Sequence, residues 1–256
     1  EKIISEYGKV DFITSQNVLA HIDNLDSVFR NIYKLLKNDS YFVFEIGYFP
    51  SVIESGCFDT TYHEHLDYHH AKPLASYLIS IGFEIVDFSK NKVQGGSLRT
   101  IAKKSYDPKL SNAAKNFLEK ESNSIITNKK YLDSWKSNIE ISMKHFEEKV
   151  KKLVDSGLNG AGYGVPTKAT LLLELSNLTI EHVPYIVEDN TQKIGRYLPN
   201  SGIPICPVSE IKVQKPQFIV IFAWNFADDI IVKLSKIVTW KCRFIIPLPN
   251  YKEILF

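Results

Sequence analysis

The chain of 256 residues is 44% apolar and 23% charged, which is ordinary for a globular protein and leaves room for one large domain or two smaller ones. Its 31 basic and 29 acidic residues give a formal charge of +2 without long blocks of one sign, which argues against nucleic acid or a membrane surface as the partner and favours a small molecule. Three cysteines without a CxxC pair argue against a disulfide framework, and the apolar runs fall well short of the ~20 residues of a membrane span, so we expect a soluble, cytoplasmic protein.

Strand and helix signals alternate along the first part of the chain. Short runs rich in Val, Ile, Phe and Tyr predict strands, and apolar residues three and four apart predict helices. The predicted strands are residues 10–19, 40–49, 84–93 and 97–104, and the predicted helices are residues 24–36 and 72–83, the second ending near Gly82. We therefore predict that residues 1–106 form half of an α/β sheet.

The rest of the chain divides into a helical segment and a second α/β pattern. Residues 107–156 are rich in Lys, Glu, Asn and Ser with periodic apolar residues, which predicts one or two amphipathic helices that connect two domains. Residues 157–256 again alternate helix signals with strand-like runs, at residues 183–189, 215–224 and 242–249. We therefore predict a second Rossmann-like α/β domain after the helical connector.

A glycine-rich stretch, "GAGYGVPTKATLLL", opens this second domain. Gly160, Gly162 and Gly164 precede a helical run, and Glu188 and Asp189 follow about 25 residues later, as in a dinucleotide fingerprint. By pattern alone the stretch could bind NAD or S-adenosylmethionine.

The same stretch also departs from that fingerprint. The third glycine is displaced and Pro166 interrupts the turn, so a tight connection between a strand and a helix is the alternative. As a binding site, Gly162 and Gly164 would let backbone N–H groups approach an anion, and Lys168 would add positive charge. Both interpretations stay open.

The stretch "FDTTYHEHLDYHHAK", residues 58–72, contains four of the seven histidines in the chain, namely His63, His65, His69 and His70. A metal site is one interpretation, but the order HEHLDYHH lacks the HExxH pattern of zinc helices. A polar loop accounts for His69 and His70, which we expect at the start of the next helix. It accounts less well for "YHEH", which combines a phenol, a carboxylate and an imidazole, the usual groups of a proton-transfer site.

The position of these residues along the chain supports a site. In open α/β sheets, ligands bind beyond the carboxyl ends of the strands, and both His21 and the YHEH stretch follow predicted strands. Two connections would then converge on one cleft. For His21 alone, a role as the residue that enters the following helix is the alternative.

Seven motifs occur in the same order as in a known family. The chain resembles the sugar C-methyltransferases that act on nucleotide-linked keto-sugars, and the resemblance runs over nearly its whole length. The motifs are "QNVLAHIDNLDSVFRNIYKLLKNDSYFVFE", "FDTTYHEHLDYH", "GGSLRTIAKK", "GYGVPTKATLLL", "VEDNTQKIGRYLP", "FAWNFADDII" and "FIIPLP". The resemblance implies part of a class I methyltransferase sheet, with S-adenosylmethionine as cofactor, followed by a family-specific α/β domain.

The resemblance also implies segments that this sequence does not contain. Family members carry an N-terminal zinc domain with four cysteines and a glycine-rich cofactor loop, so we expect the chain to be a fragment and expect zinc only in that other domain. "GAGYGVP" matches the C-terminal domain of the family instead of the cofactor loop.

Residue roles follow from the resemblance position by position. His65 is expected to be the base that removes a proton next to the sugar carbonyl, and Glu64 to bind sugar hydroxyls or support that base. Tyr62 and His21 are expected to contact the sugar or its developing oxyanion. Such a base suits the chemistry because an imidazole titrates near neutral pH.

Further residues are candidates for the cofactor and for the substrate's phosphates. Gln16 and Asn17, at the end of the first predicted strand, are expected near the cofactor, by position only. Arg99, Lys168, Gly162 and Gly164 are candidates for the phosphates, with solvated basic residues and a plain turn as the alternatives.

We therefore predict transfer of a methyl group from S-adenosylmethionine to a carbon adjacent to a carbonyl of a nucleotide-linked keto-sugar. One alternative is a module that binds nucleotide sugars without methyl transfer. Another is a NAD-dependent sugar-modifying enzyme that uses the glycine-rich stretch.

Overall fold

The computed structural model describes residues 2–91, 95–123 and 128–256, which fold into two compact units. Unit 1 comprises Glu1–Ser55 and His63–Leu132, and unit 2 comprises Gly56–Tyr62 and Asp133–Phe256. A short segment from the first half of the chain is therefore part of unit 2.

Unit 1 is a four-stranded sheet covered by helices. Its strands are β1 (Val10–Gln16), β2 (Leu36–Gly47), β3 (Phe83–Asn91) and β4 (Ser97–Lys104), and its helices are α1 (Lys2–Tyr7), α2 (Leu25–Leu35), α3 (Phe49–Ser55), α4 (Ala71–Ile81) and α5 (Asn112–Ser122). The strand order is β1-β2-β4-β3, with β1 parallel to β2 and β4 antiparallel to both of its neighbours. The predicted half sheet is confirmed.

Local sequence sets the ends of the helices in unit 1. The Asn24 side chain accepts a hydrogen bond from the N–H of Ser27 and so caps α2. Gly82 ends α4 with φ of 117°, a left-handed conformation that glycine adopts without strain. A Cβ at this position would lie 2.7 Å from the Tyr33 ring, so the close packing of that ring also requires glycine.

The core of unit 1 is rich in phenylalanine. Phe29 of α2 packs against Phe42 and Phe44 of β2, with ring centroids 6.1 and 5.7 Å away. These two residues stack on each other at 4.6 Å, and Phe83 of β3 lies beside them. Burial of such side chains contributes about 1.5–3 kcal/mol each, which holds the helices on the sheet.

A buried carboxylate fixes the start of α4, directly after the His-rich segment. Glu121 of α5 accepts hydrogen bonds from the N–H groups of Ala71 and Lys72 at 2.7 and 2.8 Å and from the Tyr48 hydroxyl at 2.8 Å. A negative charge at a helix N-terminus is favourable because the first N–H groups have no partner within the helix. His70 is the N-cap residue of α4, as predicted, whereas His69, also expected at the start of the helix, forms a β-bridge with Tyr48.

Unit 2 contains a six-stranded sheet. Its strands are β5 (Gly160–Tyr163), β6 (Ile186–Glu188), β7 (Ile205–Pro207), β8 (Phe218–Ile221), β9 (Arg243–Ile246) and β10 (Lys252–Leu255), and the helices are α6 (Lys129–Asp155, which begins in unit 1), α7 (Lys168–Leu175), α8 (Glu210–Gln214) and α9 (Ala227–Leu234). The order is β10-β9-β8-β5-β6-β7, and all neighbouring pairs are parallel except β10 with β9. The predicted second α/β domain is confirmed.

The strand order places a topological switch point between β5 and β8. The chain runs from β5 outward through β6 and β7 and then returns to the other side of β5 as β8. Such a point is where α/β sheets form a crevice at the carboxyl ends of the strands.

The helical segment contributes to both units. α5 packs on unit 1, where Ala114 is part of the core, whereas Met143, Phe146 and Val150 of α6 belong to a core of unit 2. The predicted division at residues 106 and 156 stays a prediction. The predicted strand 84–93 and the helices predicted within 107–156 extend over residues 92–94 and 124–127, which lie outside the described residues.

Candidate active site

A turn and a loop meet in unit 1 at the carboxyl end of β1. Residues Leu19–His21 form one turn of 3-10 helix, and the His-rich segment passes beside it. The N–H of Leu66 donates to the carbonyl of Ala20 at 2.8 Å, and Nδ1 of His21 lies 2.8 Å from the carbonyl of Glu64. These two bonds bring His21 to the YHEH stretch, as the sequence predicted.

The hydrogen bond of His21 determines where its proton lies. Since a carbonyl oxygen only accepts, Nδ1 of His21 must be the donor to Glu64. In the neutral ring, Nε2 then carries the lone pair and is free of hydrogen. The His21 ring is exposed, so Nε2 is able to accept a hydrogen bond from a ligand.

The rings of His21 and His65 lie against each other, with centroids 5.0 Å apart and planes inclined by 55°. The half-buried His65 stands beside a neighbour that already holds its own proton on Nδ1.

Tyr68 is part of this site, although the sequence analysis did not single it out. Its ring meets His65 edge to face, with centroids 6.5 Å apart, and it also packs against Phe49 at 5.8 Å. The signal for Tyr68 in the sequence is its position three residues after His65 in the same segment. Tyr68 limits the positions open to the His65 ring.

The acidic side chain of the motif, Glu64, lies near the neighbouring histidine His63. The Glu64 side chain is 50% exposed and lies 4.0 Å from Nε2 of His63, which is 81% exposed. Glu64 contributes to the described geometry mainly through its backbone carbonyl. A role of its carboxylate toward sugar hydroxyls or in support of His65 stays a prediction.

Tyr62 belongs to unit 2, together with the segment that precedes it. Its N–H donates to the carbonyl of Thr60 at 3.2 Å, and Phe58 and Asp59 of the same segment are buried. The predicted catalytic residues are thus divided between the units, with His21, Glu64 and His65 in unit 1.

Gln16, Asn17 and Arg99 lie around the buried carboxylate of Glu45 in unit 1. Gln16 pairs with Glu45 across β1 and β2, and the N–H of Asn17 donates to the Glu45 carbonyl at 2.9 Å. Arg99 binds the Glu45 carboxylate through Nη2 at 2.5 Å and Nε at 2.7 Å. Half of the Arg99 side chain stays exposed. The structure thus brings the three predicted binding residues together around Glu45.

The glycine-rich stretch is itself a strand, β5, at the centre of the second sheet. A Cβ on Gly162 would lie 2.7 Å from Ile186 and 2.8 Å from Phe222, so close packing requires glycine there. Gly164 has φ of 82° at the end of the strand. These observations account for both glycines without a ligand, and their role toward phosphates stays a prediction.

The acid predicted to bind a ribose has other partners. Glu188 accepts hydrogen bonds from the N–H of Val165 at 2.8 Å, of Asp189 at 2.7 Å and of Asn190 at 3.0 Å. Asp189 in turn binds the Tyr163 hydroxyl and the Lys233 ammonium. The Glu188 carboxylate thereby accepts the hydrogen of the N–H in the turn after β5, which would bind a phosphate in a dinucleotide-binding protein.

Lys168 lies at the start of α7 and is nearly buried. Its ammonium is 3.3 Å from Asp59 and donates to Asn225 at 2.6 Å. Burial lowers the pKa of Lys168, and the Asp59 carboxylate opposes that shift. Its predicted role toward a phosphate stays a prediction.

His69 is half-buried in unit 1, beside the bridge that it forms with Tyr48. Burial lowers the pKa of His69, because a charged ring would lose its hydration. Within residues 2–91, 95–123 and 128–256, no group of three or more His, Cys, Asp or Glu side chains is arranged to hold a metal ion. In the same residues no helix has the length and apolar composition to cross a membrane.

Two domain families match the chain in sequence. The family described as C-methyltransferase C-terminal domain matches residues 92–249, and the family described as methyltransferase domain matches residues 1–87. The C-methyltransferase NovU of Streptomyces niveus is 28% identical over 255 residues, which are 99% of this chain and 61% of NovU. The chain thus spans about three fifths of the length of this relative.

Solved methyltransferase structures show a weaker similarity. Magnesium protoporphyrin IX methyltransferase ChlM of Synechocystis PCC 6803, with bound SAH, is 14% identical over 41% of this chain and 49% of its own, with a TM-score of 0.31. The N-methyltransferase NodS of Bradyrhizobium japonicum WM9 is 14% identical over 38% of this chain and 52% of its own, with a TM-score of 0.28. Scores of this size carry no assignment, and the fold is defined by the two sheets described above.

Proposed function

Since the chain belongs to the C-methyltransferase family whose C-terminal domain matches residues 92–249, we propose that the protein transfers a methyl group from S-adenosylmethionine to a carbon of its substrate. We propose further that the substrate is a nucleotide-linked keto-sugar and that the methylated carbon is adjacent to the carbonyl. The arrangement of His21, Glu64 and His65 is the observation that supports this proposal most, because it offers a base beside a ring of fixed tautomer.

C-methylation needs a base because a C–H bond next to a carbonyl must first lose its proton. We propose that His65 accepts that proton, and that the electrons of the C–H bond pass into an enolate of the sugar. His21 keeps its Nδ1 hydrogen on the Glu64 carbonyl, so the neutral His21 ring presents the lone pair of Nε2 as an acceptor for the substrate. When bound, S-adenosylmethionine would supply an electrophilic methyl group, whose S–C bond would break as the bond to the enolate carbon forms, with S-adenosylhomocysteine as the leaving group.

The residues at the end of β1 fit a polar cofactor. Asn17 has φ of 50°, an uncommon conformation for a residue other than glycine, and its backbone N–H is held by Glu45. Conformations of this kind cluster at ligand sites. We propose that Gln16 and Asn17 contribute amides to the cofactor and that Arg99, steadied by Glu45, pairs with a phosphate of the substrate.

The two alternatives make different predictions. A module that only binds nucleotide sugars would bind them saturably without methyl transfer. For a NAD-dependent enzyme the observations are unfavourable, since Glu188 accepts three backbone N–H groups instead of facing an open crevice.

Methyl transfer with a labelled donor tests the proposal. We would incubate the full-length protein with S-adenosylmethionine carrying a ¹³C methyl group and a panel of nucleoside diphosphate keto-sugars, and locate the label in the product by NMR. Label on a carbon adjacent to the carbonyl is expected. Label on oxygen or nitrogen, or saturable sugar binding without transfer, would reject C-methylation.

A further inference from the structure

A buried polar cluster surrounds Asp59 in unit 2. Oδ2 of Asp59 accepts a hydrogen bond from Nε1 of Trp224 at 2.5 Å and lies 3.3 Å from Nζ of Lys168. This ammonium also donates to Asn225 at 2.6 Å and lies 4.2 Å from the centre of the Trp224 ring. One carboxylate thus ties the segment 56–62 to residues that follow β5 and β8, on either side of the switch point.

Stability alone does not explain this cluster. The Asp59 side chain is fully buried, and among the described residues no donor lies within hydrogen-bonding distance of its Oδ1. A buried carboxylate oxygen without a donor is costly, and a buried ion pair commonly adds no net stability over apolar side chains of the same volume. A positional role accounts for the retained charges better.

The short chain from Asp59 to Tyr62 has little freedom. Three backbone hydrogen bonds hold it. The N–H of Thr60 donates to the carbonyl of Cys57 at 3.3 Å, and the N–H of Thr61 donates to the carbonyl of Phe58 at 2.9 Å. The N–H of Tyr62 donates to the carbonyl of Thr60 at 3.2 Å. Phe58 is buried in a core of unit 2, so the segment is held by its apolar and acidic side chains together. A residue that fixes Asp59 therefore also fixes the backbone at Tyr62.

We propose that Asp59, held by Lys168 and Trp224, is a positioning residue for Tyr62. This inference rests on the proposed function and on the expectation, from the sequence resemblance, that the Tyr62 phenol contacts the sugar. A displacement of about 1 Å at a reacting group can lower a rate by about 100-fold. Asp59 acts on the reaction only through the position of Tyr62 and touches neither substrate nor cofactor.

A double-mutant cycle in the full-length protein tests this role. Asp59→Asn keeps the size of the side chain and removes its charge, and Trp224→Phe removes the indole N–H donor together with part of the ring. Both should lower kcat by about tenfold or more and leave KM within about twofold, because they misplace a group that acts in the transition state. In a Tyr62→Phe background Asp59→Asn should have little further effect, since the hydroxyl that it positions is absent.

Hydrogen exchange of the backbone gives a readout that does not depend on activity. Asp59→Asn should raise the exchange of a peptide covering residues 57–62. Glu253→Gln is the matched control. Like Asp59, Glu253 accepts a hydrogen bond from an aromatic side chain, here the Tyr251 hydroxyl, and pairs with a cation, Arg243, in the same unit. The control should leave kcat and the exchange of residues 57–62 unchanged.

The outcomes separate this proposal from the proposed function. Additive effects of Asp59→Asn and Tyr62→Phe on kcat, or unchanged exchange of residues 57–62, would overturn the positioning role. Wild-type protein without methyl transfer would overturn the proposed function and this inference with it. Transfer that survives Tyr62→Phe at the wild-type rate would reject the positioning of Tyr62 while C-methylation stands.

Discussion

His21 donates its Nδ1 hydrogen to the backbone carbonyl of Glu64, 43 positions further along the chain, at 2.8 Å. This bond fixes the tautomer of one imidazole and holds the other, His65, with its ring 5.0 Å away. His21 is therefore a ring of fixed tautomer beside the proposed base. We propose that His21 orients this part of the site and that His65 accepts the proton.

Replacing His21 tests the orienting bond. His21→Phe keeps a ring at this position and removes the donor to Glu64, so we expect kcat to fall by about tenfold to 100-fold. The lost hydrogen bond should cost about 1 kcal/mol in the free energy of unfolding, measured in urea. Full activity of His21→Phe would contradict an orienting role.

Replacing His65 tests the base. His65→Gln should abolish methyl transfer and leave the affinity for S-adenosylmethionine nearly unchanged in the full-length protein, because it removes a proton acceptor and not a binding surface. Exchange of the sugar's acidic C–H proton with deuterated solvent should be lost in parallel. If His65→Gln methylates at the wild-type rate, the base is another residue.

How well the sequence predicts a structural feature depends on how far apart along the chain the interacting residues lie. Helix α2, its Asn24 cap and the Gly82 end of α4 were predictable because each follows from a local pattern. β10 was missed because all of its residues are exposed, so it lacks the apolar run that predicts a strand.

The hydrogen-bond partners of the site residues were less predictable from the sequence than the site residues themselves. The composition of YHEH indicated proton transfer, but the Glu64 carbonyl is a backbone group that every residue possesses, so nothing in the sequence identifies it as the acceptor for His21. Asp59 and Trp224 are 165 positions apart, and neither belongs to a pattern with a known spacing. Such pairs are set by the tertiary fold.

The buried Glu121 should matter for stability more than for chemistry. Glu121→Gln keeps the shape but removes the charge that faces two N–H groups of α4 and the Tyr48 hydroxyl. Hydrogen bonds to a charged group contribute about 1.5–3 kcal/mol, so we expect a loss of about that size in the free energy of unfolding. Glu119→Gln on the exposed side of the same helix is the control and should change stability by less than about 0.5 kcal/mol.

The lowered pKa of His69 predicts a pH dependence of stability. Between the ordinary pKa of histidine and the lower pKa of half-buried His69, the unfolded chain binds a proton that the folded chain does not. The stability of the wild type should therefore fall as the pH drops below about 6.5. In His69→Gln the difference between the free energies of unfolding at about pH 7.5 and pH 5.5 should be smaller. Equal differences in the two proteins would show that His69 does not contribute.

A substitution of Gly162 tests whether the glycine-rich stretch is required for packing or for ligand binding. Gly162→Ala would place its Cβ within 2.8 Å of Ile186 and Phe222, and overpacking of this kind costs about 1–3 kcal/mol. Gly47→Ala is the control, because no atom lies within 4 Å of the added Cβ and the backbone is not left-handed. We expect a loss of stability for Gly162→Ala alone, by urea unfolding, with an unchanged KM for the nucleotide sugar in the folded fraction. A raised KM with unchanged stability would instead support the predicted contact between Gly162 and a phosphate.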